Sequence, residues 1–110
     1  MPLSEKARIE VYLPDSPKSA YQDLLETLDH ELTYTFGGCT ILRGLDGRYL
    51  SRVGHRILDR VSIIYTDAPL SFRDNFESLS HYVRELREAA FSALEEEAVL
   101  VVAFPVYHAA

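Results

Sequence analysis

Apolar and polar residues alternate strictly from Ala7 to Leu13, with Ile9, Val11 and Leu13 on one side and Arg8, Glu10 and Tyr12 on the other. This two-residue period predicts a strand with one face in a core. Pro14-Asp15-Ser16-Pro17 breaks the pattern, and Ser16 before Pro17 predicts a helix N-cap followed by a first-turn proline. Tyr21, Leu24, Leu25, Leu28 and Leu32 then recur three and four residues apart, the stripe of an amphipathic helix, with Lys18, Gln22, Asp23, Glu26 and Asp29 largely outside it. Gly37-Gly38 stops this helix. Thr33, Tyr34, Thr35 and Phe36 are poor helix formers, which predicts that its last turn ends several residues before the glycines.

Cys39 to Leu45 reads as a second strand and Asp46-Gly47 as a hairpin turn, with Arg48 to Leu50 either a short return or an excursion before Gly54. From His55 to Thr66 the chain is again extended, with Ile57, Val61, Ile63 and Tyr65 on one parity. Asp67-Ala68-Pro69 closes that strand, and a second helix is capped between Ser71 and Asn75. Its apolar positions Phe76, Leu79, Val83, Leu86, Ala90 and Ala93 keep heptad spacing. Glu95-Glu96-Glu97 reads as its solvated end, and Ala98 to Phe104 as a nearly all-apolar last strand. The order strand, helix, strand, strand, helix, strand is that of the ferredoxin-like α+β fold. Residues 1–110 are expected to form one such domain, a four-stranded antiparallel sheet with two helices on one face. The other face is left open, and the missing polar alternation in the last strand predicts a homo-oligomer in which a second copy covers it.

A chain of 110 residues, 47% hydrophobic, can bury roughly two-thirds of its surface without disulfides or metal. A net charge of -6 repels polyanions and argues against nucleic acid or a membrane surface as partner. The start of the chain has no signal-peptide pattern, and the longest apolar run, Ala98 to Val106, is interrupted by Pro105 and is too short for a membrane span. The one cysteine, Cys39, cannot form an internal disulfide. Together these predict a cytoplasmic protein.

The charge is unevenly spread. Five of nine arginines, Arg43, Arg48, Arg52, Arg56 and Arg60, fall within 18 residues opposed only by Asp46 and Asp59. That segment carries +3 and the rest of the chain -9. Even spacing puts Arg48, Arg52, Arg56 and Arg60 on one side of an extended hairpin. Guanidinium forks suit bidentate capture of phosphate or carboxylate, so the segment reads as an anion-binding arm, or as arginines paired with the acidic remainder, on this subunit or a neighbour. On the open face Arg8, Glu10 and Tyr12 lie in line, with Ser62, Ile64 and Thr66 expected beside them, a combination that forms either a polar pocket or an interface salt bridge.

His30, His55, His81 and His108 show no metal-ligand spacing, and no metal or cofactor is expected. Cys39 and His55 fall on strands that could be neighbours, but without a third orienting group Cys39 reads as a small hydrophobe. The element order is shared with RNA-recognition domains. The stretch Asp59 to Tyr65, however, lacks their basic and aromatic pattern.

Phe36 to Tyr49, with its Gly37-Gly38-Cys39-Thr40 strand start and Gly44 to Tyr49 hairpin, followed by Val61 to Tyr65, resembles small uncharacterised bacterial one-domain families. The resemblance implies the same split β-α-β fold and no assigned activity. The architecture is also similar to the PII signalling proteins, whose central hairpin bears a partner-binding loop and whose subunit clefts hold nucleotide. Two functions follow as expectations. One is a small oligomeric binding or regulatory protein whose Arg-rich hairpin meets an anionic small molecule or a partner protein. The other is a cofactor-free enzyme of the dimeric α+β-barrel type, with Arg8, Glu10 and Tyr12 in a pocket on the open face.

Overall fold

The alternation at the start of the chain becomes strand β1 (Leu3–Pro14) in the computed structural model, which describes residues 2–94 and 99–109. Helix α1 (Ser19–Phe36), β2 (Thr40–Leu50), β3 (Arg56–Ala68), α2 (Phe76–Leu94) and β4 (Leu100–Ala109) follow. The strands form one sheet in the order β2-β3-β1-β4, every neighbour antiparallel. This is the ferredoxin-like arrangement that the element order predicts.

Ala7, Ile9, Val11 and Leu13 are at most 3% exposed and form one cluster with Leu24, Leu25, Leu28 and Leu32 of α1 and Leu79, Leu86 and Ala90 of α2. Ile64 and Ala68 of β3 join them, so both helices cover the same face of the sheet. Each fully buried branched side chain here, Ile9 or Ile64 for example, stabilises the fold by about 1.5–3 kcal/mol. Among the described residues no helix is long and apolar enough to cross a membrane.

Four local expectations are corrected. Helix α1 starts at Ser19, because the Ser16 hydroxyl accepts from the Lys18 N–H (3.2 Å) and holds Ser16 to Lys18 in a turn; Lys18 occupies the N-cap. The same helix runs on to Phe36. Thr33 and Thr35 donate back to Asp29 and Glu31, Phe36 packs edge-on to Tyr82 with ring centroids 5.5 Å apart, and Gly37 closes the helix at φ 98° with its N–H on the Thr33 carbonyl. Asp46-Gly47 is no turn, since β2 passes straight through it and the chain reverses at residues 51–55, where Gly54 has φ 83° and Ser51 N–H donates to the His55 carbonyl. Gly47 is needed for close packing instead: a Cβ there would lie 2.8 Å from Val61 Cγ2. Strand β4 continues through Pro105 to Ala109, which an edge strand tolerates because one side of its backbone has no ladder to lose. The acidic run Glu95-Glu96-Glu97 and Ala98 lie outside the described residues.

β1 ends its pairing with β3 at Pro14↔Val61, whereas β2 and β3 stay paired from Asp46↔Arg60 to Leu50↔Arg56. A two-stranded ribbon therefore projects past the four-stranded sheet. The molecule measures 47 × 28 × 25 Å with a radius of gyration of 15.1 Å, against roughly 13 Å for a compact chain of this length.

Candidate functional site

The ribbon carries the arginines. At its root β2 holds one extra residue between Leu42↔Ile63 and Leu45↔Val61, with Gly44 at φ 66°. Asp15, from the turn before α1, fixes this bulge: its carboxylate accepts the Gly44 N–H (2.8 Å), and its own N–H donates to the Arg60 carbonyl (2.8 Å). A Cβ on Gly44 would lie 2.7 Å from Arg60 Nη2, so the glycine leaves room for that guanidinium as well as supplying the turn.

Cross-strand partners share a face. Arg48, Arg56 and Arg60, with Asp46, Leu50 and Leu58, therefore project on the side of the sheet that carries the helices, but beyond the helices. Arg52 lies in the reversal and not on that face. All five arginines are exposed. Arg43 donates to Gln22 Oε1 (3.3 Å), and Arg60 reaches Asp46 at only 4.0 Å. Arg48, Arg52 and Arg56 have no hydrogen-bond or ion-pair partner among the described residues. Arg48 and Arg60, diagonal neighbours, line a concavity of about 390 Å³ together with Asp46, Gly47, Leu58 and Asp59, so two carboxylates share it with the two guanidinium groups. Among the described residues, ion pairing of the hairpin arginines with acids of the same chain is thus confined to the one long Arg60–Asp46 contact.

On the open face Arg8, Glu10 and Tyr12 do lie in line, but their neighbours differ from the expected ones. Register pairs Arg8 with Asp67, Glu10 with Tyr65 and Tyr12 with Ile63. Ser62, Ile64 and Thr66 point the other way, into the helix-covered core, where Thr66 donates to the Gly38 carbonyl (2.6 Å). A shift of one residue in a strand exchanges its faces, and the parity of β3 follows its buried Ile64, not its apolar Ile63.

Arg8 forms a bidentate pair with Asp67 (2.7 and 2.9 Å), its guanidinium stacks 4.3 Å from the Tyr65 ring centroid, and His108 Nε2 lies 2.8 Å from Asp67 Oδ2, the oxygen that also accepts from Arg8 Nη2. One carboxylate thereby ties β1, β3 and β4 together. The Arg8 bond holds the Asp67 carboxyl below the usual carboxylate range, against an opposing push from burial and with help from His108. The same bond raises Arg8. Tyr12 donates to Glu10 Oε1 (2.7 Å), and this bond, with burial second, raises its phenol. Asp67, Tyr65 and His108 escaped the sequence reading; the usable signal was register, since Asp67 has the parity of Ile63 and Tyr65.

Cys39 is not brought to His55, which lies at the far end of the ribbon. Its thiol sits beside Asp29 (3.3 Å) and Thr33 (3.4 Å), and burial pushes it up, keeping it protonated. Among the described residues no three His, Cys, Asp or Glu are grouped to hold a metal ion.

No family model matches the sequence, and no curated protein matches it. Solved structures resemble the fold. CutA1 from Oryza sativa aligns with a TM-score of 0.60 at 19% identity, over 94% of this chain and 82% of that one. The divalent cation tolerance protein (CutA1) from Thermus thermophilus gives 0.57 at 15% identity, over 93% and 84%. A phage SAM lyase in complex with S-methyl-5'-thioadenosine gives 0.52 at 15%, over 92% and 88%. The Gly37 to Tyr49 motif gains no family from these comparisons, and at such identities what the chain shares with the CutA1 proteins is their fold.

Proposed function

We propose that the chain is a single-domain, self-associating binding or regulatory protein of the cytoplasm whose Arg-rich ribbon captures carboxylate or phosphate groups, carried by a small ligand or by a protein partner. The observation that carries this reading is the set Arg48, Arg52 and Arg56, exposed on a projecting ribbon and unpaired among the described residues. Guanidinium groups held clear of their own chain's carboxylates are free to form bidentate pairs with an incoming anion.

Self-association rests on the open face. Leu42, Leu45, Tyr49 and Leu100 are exposed there around Ile63, Val102 and Phe104, while the central charges are spent on one another. The chain exposes 7310 Å², roughly 1,100 Å² more than a compact monomer of its mass. A stable interface removes about 800 Å² per partner. A second copy of this chain fits that surplus.

The enzyme reading has less support, since Arg8 is committed to Asp67 and Tyr12 to Glu10. The name of the Thermus thermophilus neighbour concerns divalent cations, but the unpaired groups on this ribbon are cationic and suit anions.

The test is a thermal-shift titration of the parent and of Arg48→Ala plus Arg56→Ala with inorganic phosphate, citrate and a nucleoside triphosphate, with solution mass measured in parallel. The expected result is a folded variant that loses the anion response, the assembly or both. A variant that keeps both overturns the reading.

A further inference from the structure

Resting on that reading, we propose that the carboxylates met by the ribbon belong to the outer face of α1 in a second copy of this chain. The composition of the ribbon points first to a protein partner. Between its arginines it exposes Leu50 (72%), Val53 (77%) and Leu58 (62%). Guanidinium groups alternating with large apolar side chains are the composition of a protein interface, where arginine is enriched and its stem packs as well as pairs. A free metabolite would leave those apolar side chains in water.

Charge complementarity then selects the helix. Helix α1 contains Asp23, Glu26, Asp29 and Glu31 and no lysine or arginine. Its outer side forms a concavity of about 490 Å³ lined by Asp23, Glu26, Thr27, His30 and Glu31, and beyond it Tyr34 is 79% exposed with its ring 4.4 Å from that of His30. Acid and aromatic surface there match the guanidinium and leucine surface of the ribbon. The other helix does not. In α2, Glu77, Glu85 and Glu88 are interspersed with Arg84 and Arg87, so its outer face attracts a basic ribbon far less.

Reach places the contact between molecules. Among the described residues, the ribbon arginine that reaches α1 of its own chain is Arg43 at the root, which bonds Gln22 beside Glu26 and Asp29. Arg48, Arg52 and Arg56 lie farther out, where β1 has already ended, so the acidic face they can meet belongs to another molecule. The contact joins two different surfaces and is therefore made either reciprocally within a pair or head to tail around a ring. The open sheet face remains available for the same assembly.

The experiment compares three full-length samples by sedimentation: Arg48→Glu plus Arg56→Glu, Asp23→Lys plus Glu26→Lys, and an equimolar mixture of the two. Each variant alone is expected to weaken assembly about tenfold or more in Kd while keeping the parent melting temperature within a few degrees, because all four positions are exposed. The mixture is expected to assemble more tightly than either variant alone, since each contact between unlike variants opposes complementary charges, at every contact in a pair or even ring and at most contacts in an odd one, and parent assembly is expected to weaken as salt rises from about 0.05 to about 0.5 M. A monomeric parent overturns the proposal, as does an α1 variant that assembles like the parent or a mixture that assembles no more tightly than either variant alone. If the α1 variant assembles normally while the ribbon variant loses its phosphate or citrate response, the ribbon's capture of anions stands and only its partner on α1 is refuted.

Discussion

The two faces of the sheet use one alternation for different ends. On the helix side Ala7, Ile9 and Val11 are wholly buried within the chain. On the other side the same strand presents Arg8, Glu10 and Tyr12, each already bonded, among half-buried apolar residues of β3 and β4. A face left to water would carry free charge, and a core would carry none. A face with paired charges and surplus apolar area suits a partner. The difference teaches how the two proposed contacts differ: half-burial with internal neutralisation favours packing against another surface, whereas unpaired arginines favour capture of an incoming charge.

The contrast can be broken from the core side first. Ile9→Ala should cost about 2–5 kcal/mol by leaving a cavity under both helices, read as a large fall in Tm. Asp67→Asn, on the open face, should cost about 1–3 kcal/mol near neutral pH by stranding Arg8. It should also flatten the acid limb of the stability curve. The Asp67 carboxyl is lowered in the folded state, so its contribution is complete above the unfolded value of about 3.9 and is lost as pH falls below that toward the folded value. Urea melts at about pH 6 and about pH 3 should therefore show a smaller pH loss in Asp67→Asn than in the parent.

The ribbon gives a smaller effect. Gly47→Ala should cost about 1 kcal/mol, because Val61 must give way to the new Cβ. Its signature is a lower Tm with normal far-ultraviolet dichroism. Tyr82 gives the smallest. Burial first, and its bond to Glu31 second, push its phenol up, so an absorbance titration should show one phenol ionising well above the ordinary tyrosine range, a step that Tyr82→Phe removes. That contribution is complete below the unfolded phenol value of about 10 and is lost as pH rises above it. Tyr82→Phe, which removes it, should change stability near neutrality by only about 0.5 kcal/mol.

The periodicities made much of this legible. Alternation at Ala7 to Leu13 and the three-four stripes of both helices reported the core faces, although the ends of the α2 stripe, Phe76 and Ala93, lie exposed beyond the core. Gly37 was a sound local signal, since it does close α1, but a second one misled. Asp46-Gly47 has hairpin-turn chemistry, yet Gly47 is explained by a side chain 14 residues away, Val61, which no local rule sees. The parity of β3 was ambiguous for a similar reason, since Ile63 and Ile64 are equally apolar and only packing on the helices selects Ile64. The arginine arm was visible as composition. Its reach was not, because that depends on where β1 stops pairing, and Arg52 dropped out of the row once the reversal moved to residues 51–55.

Central to this account is the covering of the open face by another copy of the chain. Sedimentation equilibrium of the parent and of Ile63→Asp, which places a carboxylate at the centre of that face between Tyr12 and Leu42, tests it directly. The account predicts a parent mass that is a multiple of 12.5 kDa and a variant that is folded and monomeric. A parent that sediments at 12.5 kDa, or a variant that assembles as the parent does, would contradict it.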